Sequence, residues 1–240
     1  DLLFPGVAAS AFHPLIRLAY ALEMNNEEEV AISLAFWGSE FQSSGQIGSP
    51  TAYQLQDIFT VFGKRFLDFK PNPGIIAEKI RQVSRDGNFK VEQIQPQSIV
   101  MDQVAALTLE LFLQNGDFIL LHGITATHAM RIVLPFSRHP GHAIRCFWQA
   151  MLAAVLVTGV QRTALKKRDL DSDSLSVLDK NTGMERGEGR GKQIADRLPR
   201  TFGSTDDHTI KLVYSCWREH AFYGFDGYLD AIEKRLADSD

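Results

Sequence analysis

The sequence predicts an all-α protein, a multi-helix bundle with at most one or two very short strands. Apolar residues recur with the 3.6-residue period of an α-helix in nearly every segment, for example at Leu15, Leu18 and Leu22. Residues typical of helix starts and stops flank these segments. Of the 240 residues, 45% are hydrophobic and 22% are charged, which suits a globular chain with a sizeable core.

The helices follow one another along the chain. Pro14 suits a first helical turn, where its missing N–H loses no hydrogen bond, and Asn26 is the expected N-cap of the second helix. Gly116 and Gly224 are expected C-caps, and Pro135 stops the helix that precedes it. The predicted helices are 14–22, 26–38, 51–66, 75–85, 98–114, 117–134, 141–162, 206–223 and 227–236.

Two segments interrupt this pattern. Residues 86–96 alternate weakly and fit either a loop or a short strand. Residues 169–205 are dominated by Ser, Asp and Gly, and their GMERGEGRGK run has no hydrophobic anchor, which predicts a long mobile loop. The GEGRG within it follows no strand, so it does not predict a dinucleotide site. With no internal repeat, we expect one helical domain over 1–240.

Charge and composition exclude several kinds of partner. The net charge of −4 argues against nucleic acid, which needs a basic surface. The longest uncharged apolar stretch, 146–160, is shorter than the roughly 20 residues of a membrane span and is expected to be a buried helix. Cys146 and Cys216 show no metal or disulfide spacing, so reduced, buried thiols are expected. Without a signal peptide at Asp1, the expected location is the cytoplasm.

Two segments carry polar, titratable side chains on predicted helices. LLHGITATHAM places His122 and His128 in an otherwise apolar run, about 120° apart on a helix, so both can border one cavity. In TDDHTIKLVYS, Thr205 is the expected N-cap, and His208 and Lys211 share one face. Each histidine could instead be a hydrogen-bonded structural residue, and the second helix could simply expose its polar face to solvent.

Metal binding is chemically reasonable but is not dictated by spacing. Imidazole suits iron, zinc, copper and nickel, and bundle ligands commonly converge from facing helices. However, neither a His-x-x-x-His pair nor the Glu-x-x-His motif of di-iron bundles occurs in this sequence. His139 and His142 mark a helix-to-helix turn, where a surface role is expected.

Four segments, in order, resemble the questin oxidase-like family over most of the chain. They are FHPLIRLAYALE (12–23), LLHGITATHAMR (120–131), WQA (148–150) and DDHTIKLVYS (206–215). The resemblance implies an oxidoreductase, since named members are fungal enzymes that open anthraquinone-type polyketide rings. The reaction is a Baeyer–Villiger-like oxygen insertion that uses NADPH, so a small aromatic substrate is implied.

The resemblance also implies site residues. The family's histidines fall on His13, His122, His128 and His208, which we take as candidate metal ligands, and its motif lysine falls on Lys211. His128 and Lys211 are the candidate catalytic residues. Because no flavin or dinucleotide fingerprint is visible, non-haem iron held by these histidines is the expected cofactor beside NADPH.

Several alternatives stay open from the sequence. An ammonium offers no lone pair, so Lys211 would be deprotonated by burial, act as a charge beside a substrate oxygen, or become a carbamate. Family members are longer and have further histidines at the amino-terminal side, so we expect this chain to match the carboxy-terminal part, with another segment completing the site. Arg17 stands where the family often has histidine. The rival function is a non-catalytic helical binding domain or a truncated, inactive relative.

Overall fold

The computed structural model describes residues 1–159 and 192–237, apart from 193 and 197. Every regular element among these residues is helical and none is a strand, which confirms the all-α prediction. By its internal contacts the chain divides into two compact units, Asp1–Gln161 and Arg162–Asp240, and each is described by itself. The single domain expected over 1–240 stays a prediction.

The first unit holds seven α-helices among its described residues. Two predicted caps are confirmed, because the Asn26 side chain accepts the Glu29 N–H at 3.1 Å and Gly116 adopts φ 61°. The helices are α1 (His13–Glu23), α2 (Glu27–Ser39), α3 (Leu55–Arg65), α4 (Ile76–Arg85), α5 (Met101–Asn115), α6 (Phe118–Val133) and α7 (Pro140–Val157).

Three helix ends differ from the prediction by three residues or more. Helix α3 begins at Leu55 instead of residue 51, because the Thr51 N–H and hydroxyl both donate to the Gln95 carbonyl at 2.8 Å. Helix α5 likewise begins later than residue 98, at Met101. Helix α7 ends at Val157, and Gly159 follows it with φ 65°, so the prediction that this helix continues past residue 157 is wrong.

Helix α6 lies at the centre of this unit and contacts α1, α5 and α7. Gly123 permits its close approach to α5, since a Cβ there would lie 2.9 Å from Thr108 Cγ2. Phe118–Phe136, which is α6 with the 3₁₀ turn that contains Pro135, is long and apolar enough to cross a membrane by length and composition. As 67% of its most apolar window is buried, the packing of a core helix accounts for this composition.

The WQA motif holds two loops against α7. The Trp148 indole donates to the Ile94 carbonyl at 2.8 Å, and the Gln149 amide donates to the Ser44 carbonyl at 2.8 Å. Both side chains are almost fully buried. Residues 86–96 form a loop with a 3₁₀ turn at Val91–Gln93. Of the two predicted possibilities for this segment, a loop or a short strand, the loop is correct.

The second unit contains a 3₁₀ helix at Leu198–Gly203, α8 (Asp207–Tyr223) and α9 (Gly227–Ala237). Helices α8 and α9 pack against each other. Gly224 ends α8 with φ 73°, as predicted. The N-cap of α8 is Asp206 and not Thr205, because the Asp206 carboxylate accepts the His208 N–H at 3.0 Å.

The predicted mobile loop at 169–205 lies only partly within the described residues. Residues 160–191, which include the glycine-rich run, lie outside them, and the mobility of that run stays a prediction. Within the described part, Ile194 is buried and the 3₁₀ helix occupies Leu198–Gly203. This end of the segment therefore has regular structure.

Candidate functional site

Two of the candidate ligands, His13 and His122, lie together in the first unit. Their rings meet edge to face, with centroids 5.1 Å apart and planes inclined by 77°. A ring nitrogen of one lies within 4.8 Å of a ring nitrogen of the other. His122 is only 3% exposed and His13 is half-buried. Two imidazoles thus share a secluded position where α1 begins against α6.

The proton of the neutral His122 ring can be placed from its hydrogen bond. Nδ1 lies 2.9 Å from the Phe118 carbonyl oxygen, one helical turn earlier. A carbonyl only accepts, so Nδ1 carries the hydrogen and the lone pair is on Nε2. The Phe118 ring also packs edge-on against this imidazole, with centroids 4.7 Å apart. A backbone carbonyl on one ring nitrogen, with the lone pair on the other, is the usual setting of a metal-ligating histidine.

Strained backbone precedes His13. Ser10, Ala11 and Phe12 have φ of 45°, 57° and 68°, so three successive residues with side chains occupy the left-handed region. This conformation destabilises each residue by about 1–2 kcal/mol and persists only where the surrounding structure enforces it. Phe12 is fully buried and packs edge-on against Phe147, at 6.1 Å between centroids. That packing fixes the turn and thereby the start of α1, where His13 stands.

His128 has partners different from those of His122, although both are on α6. Its Nε2 lies 3.2 Å from Glu23 Oε2, and its Nδ1 lies 3.5 Å from the Arg131 guanidinium. Since guanidinium only donates, Nδ1 accepts and Nε2–H donates to the carboxylate. The side chain is fully buried. In this arrangement both ring nitrogens are engaged, which suits a positioning role better than metal ligation.

The two threonines between His122 and His128 form hydrogen bonds within α6. Thr125 donates to the His122 carbonyl at 3.1 Å, and Thr127 donates to the Gly123 carbonyl at 2.8 Å. Both hydroxyls are buried and satisfied within α6. These threonines are therefore no sign of a polar cavity.

His208 lies at the start of α8 in the second unit. Its Nδ1 is 3.2 Å from Asp206 Oδ1 and 3.0 Å from Asp207 Oδ1. Both carboxylates accept, so Nδ1 carries a hydrogen and a neutral ring has its lone pair on Nε2. A carboxylate on the far nitrogen also raises the basicity of a ligating imidazole. His208 and His122 therefore share the same tautomer.

Charged neighbours surround the His208 ring within this unit. Lys211 donates to Asp207, and this hydrogen bond lowers the pKa of the Asp207 carboxyl. Burial raises the pKa of Asp206, but hydrogen bonds from His208 and Thr209 and the charge of Arg235 outweigh it and lower that pKa to about 2. Both acids are therefore ionised at neutral pH. A Lys211 ammonium that donates to a carboxylate is a fixed positive charge.

The remaining histidine and cysteine positions fit structural roles. His139 is exposed at the N-cap position of α7, and His142 Nε2 lies 3.4 Å from Cys146 Sγ. Cys146 and Cys216 are free and buried, as predicted. Burial raises the pKa of the Cys146 thiol to about 11, so little of it is ionised at neutral pH.

Arg17, which stands where the family often has histidine, forms an ion pair with Glu29 at the surface. This arginine therefore does not act as a metal ligand.

Glu23 is the residue that sequence analysis missed. It ends α1, where a negative charge opposes the helix dipole and no basic residue occupies the last turn. That unfavourable placement was the available signal that Glu23 needs a donor from elsewhere. The donor is His128, whose distance along the chain hides the pairing from local patterns.

The described residues thus form an all-α chain in which the half-buried His13 lies against the buried His122. A family model described as Questin oxidase-like matches residues 1–216, so the chain belongs to the questin oxidase-like family. This membership suggests an oxidoreductase function. The match does not bear out the expectation that the chain corresponds to the family's carboxy-terminal part. Comparison with curated proteins and with solved structures gave no match.

Proposed function

We propose that this protein is an oxygenase-type oxidoreductase that inserts oxygen into an aromatic ring substrate in a Baeyer–Villiger-like reaction. Family membership supports the oxidoreductase class. The observation that carries the finer proposal is the His13–His122 pair, in which two imidazoles meet at 5.1 Å between centroids in a secluded position. NADPH as reductant and the cytoplasm as location are further parts of the proposal.

The His13–His122 pair fits a first-row metal ion. Two imidazole nitrogens bound to one ion at about 2.1 Å lie at most about 4.2 Å apart, and these nitrogens lie within 4.8 Å of each other. Small rotations of the two rings therefore suffice. The Phe118 carbonyl orients His122 with its Nε2 lone pair opposite the hydrogen bond. Imidazole donors suit iron, which when bound supplies the redox chemistry that oxygen activation needs.

The other candidate residues have distinct proposed roles. His208, oriented by Asp206 and Asp207, is proposed as a further imidazole ligand on the strength of the sequence. Lys211, as an ammonium, is proposed to stabilise negative charge on a substrate oxygen, the second of its three possible roles. His128 hydrogen-bonds Glu23 and is proposed to hold α1 and α6 in register, so that His13 stays against His122.

The test is oxygen consumption in the presence of NADPH and a panel of anthraquinones, with and without added iron(II). The proposal expects substrate-dependent oxygen uptake that His122→Ala removes. His139→Ala is the matched control, because His139 is exposed and stands at the start of α7, whereas the pair lies on α1 and α6. Oxygen uptake that survives His122→Ala would overturn the role of the pair. Absence of any uptake with iron-loaded protein would favour the non-catalytic binding domain.

A further inference from the structure

A polar cavity lies in the first unit, and neither His13 nor His122 lines it. Its volume is about 230 Å³. Helix α4 forms one wall, the turn at Ala8 and Ala9 forms another, and the loop 42–45 forms the third. Every charged side chain among its described lining residues is an arginine, namely Arg81 and Arg85.

Among the residues that the structure describes, neither of the two arginines that line this cavity has an anionic partner. The Arg81 Nε is buried and has no hydrogen-bond acceptor among the described residues. Arg81 and Arg85 are also one helical turn apart, where like charges repel each other. A buried donor without an acceptor and a repelling cation pair both destabilise a protein when nothing binds there. An anion shared by the two guanidinium groups would relieve both.

The opposite wall of the cavity is held in place by buried contacts. The Ser44 N–H donates to the Pro5 carbonyl at 2.8 Å, and the Ser44 carbonyl accepts from the buried Gln149 amide at 2.8 Å. Ser43 accepts the Gly45 N–H at 3.2 Å. The backbone of the loop that carries Ser43 and Ser44 is therefore held in place, and both serines line the cavity together with the two arginines. A cavity whose charged lining is cationic and whose remaining polar lining is neutral has the composition of an anion site.

From this arrangement we infer that the cavity binds the phosphate group of a small phosphorylated molecule. Planar guanidinium groups match phosphate oxygens in a bidentate manner, and the N–H groups of two arginines offer more donors than a carboxylate can use. The volume of about 230 Å³ is below the roughly 300–1,000 Å³ of a pocket for a whole drug-sized ligand. It therefore fits a phosphate end, with the remainder of the molecule outside.

Calorimetric titration of the full chain tests this inference independently of the proposed oxidase. Inorganic phosphate, NADPH and NADH are titrated at matched ionic strength, because NADPH differs from NADH by one phosphate group. We expect phosphate to bind and Arg85→Gln to weaken it about tenfold or more, as the loss of a charged hydrogen bond predicts. Tighter binding of NADPH than of NADH and of phosphate would identify the source as a nucleotide, and phosphate alone would identify the free ion.

Matched variants keep the result interpretable. Lys79→Gln removes one positive charge from the same helix outside the cavity lining, and its phosphate affinity should stay near that of the wild type. Arg81→Gln should weaken binding and Arg81→Lys should restore part of it. Because Arg85 is exposed, Arg85→Gln is expected to fold normally. No binding of phosphate or NADPH to the wild type, or equal weakening by Lys79→Gln and Arg85→Gln, would overturn the inference.

Discussion

The imidazole rings of His13 and His122 meet edge to face, at 5.1 Å between centroids, although the two residues lie far apart along the chain. One ring begins α1 after a strained left-handed turn, and the other is oriented by a carbonyl of its own helix. Because both constraints lie outside the rings, the pair is held by the fold and not by mutual attraction of the rings. Preorganised side chains of this kind are typical of ligand sites.

We expect the Glu23–His128 contact to stabilise the first unit. Glu23→Ala would leave the buried His128 Nε2–H without its carboxylate acceptor, and should lower the free energy of unfolding by about 1–3 kcal/mol. Glu23→Gln retains an acceptor oxygen and should lower it less. Urea denaturation followed by circular dichroism measures both, with Glu92→Ala as an exposed acidic control. Equal stability of Glu23→Ala and wild type would show that the contact contributes nothing.

Asp206 should make the stability of α8 depend on acidic pH. Its pKa is about 2 in the folded protein against an ordinary value of 3.8, so its charge stabilises the fold above about pH 4 and loses that effect as the pH falls towards 2. Asp206→Asn keeps an N-cap acceptor but removes the charge. Its difference in unfolding free energy from the wild type should therefore shrink between pH 6 and pH 2.5.

The cap itself is tested by a second substitution at the same position. Asp206→Ala removes both the charge and the acceptor of the His208 N–H. It should lower the free energy of unfolding by about 1 kcal/mol more than Asp206→Asn does. Thermal unfolding at neutral pH compares the two variants. If they unfolded alike, Asp206 would not be the functional cap of α8.

Substitutions at His208 and Lys211 separate metal binding from charge stabilisation. His208→Ala should lower both metal content and oxidase turnover and leave the helical content nearly unchanged. Lys211→Met keeps the bulk of the stem but removes the nitrogen, so it should lower turnover and leave metal content near the wild-type level. If both variants kept full metal content and full turnover, neither residue would belong to the site.

Local capping chemistry explains why so many helix boundaries were predictable. Asn26, Gly116 and Gly224 act within one turn of their own helix, and the structure confirms all three. The start of α3 was missed because the bonds from Thr51 reach Gln95, which a helical period cannot reveal. Long-range hydrogen bonds decide such boundaries, and single-sequence patterns do not contain them.

The sequence predicted the candidate site to about the same extent as it predicted the helix boundaries. Residue type and flanking apolar sequence drew attention to His122, the family resemblance added His13, and the structure brings the two rings together. The bond from His122 to the Phe118 carbonyl is local and could have been anticipated from helix geometry. The partnership of His128 with Glu23 could not, because tertiary packing alone joins them. The sequence therefore suggested the participants but not which nitrogens are engaged.

The most direct test of the proposal that the histidine pair holds a metal is the metal content of the purified chain after anaerobic iron(II) loading and desalting. Wild type and His139→Ala should retain stoichiometric iron, whereas His13→Ala and His122→Ala should lose most of it with unchanged circular dichroism. His13 is half-buried, so His13→Ala keeps the test informative if the variant at buried His122 fails to fold. Wild type that retains no iron, or His13→Ala that retains as much as the wild type, would contradict the account.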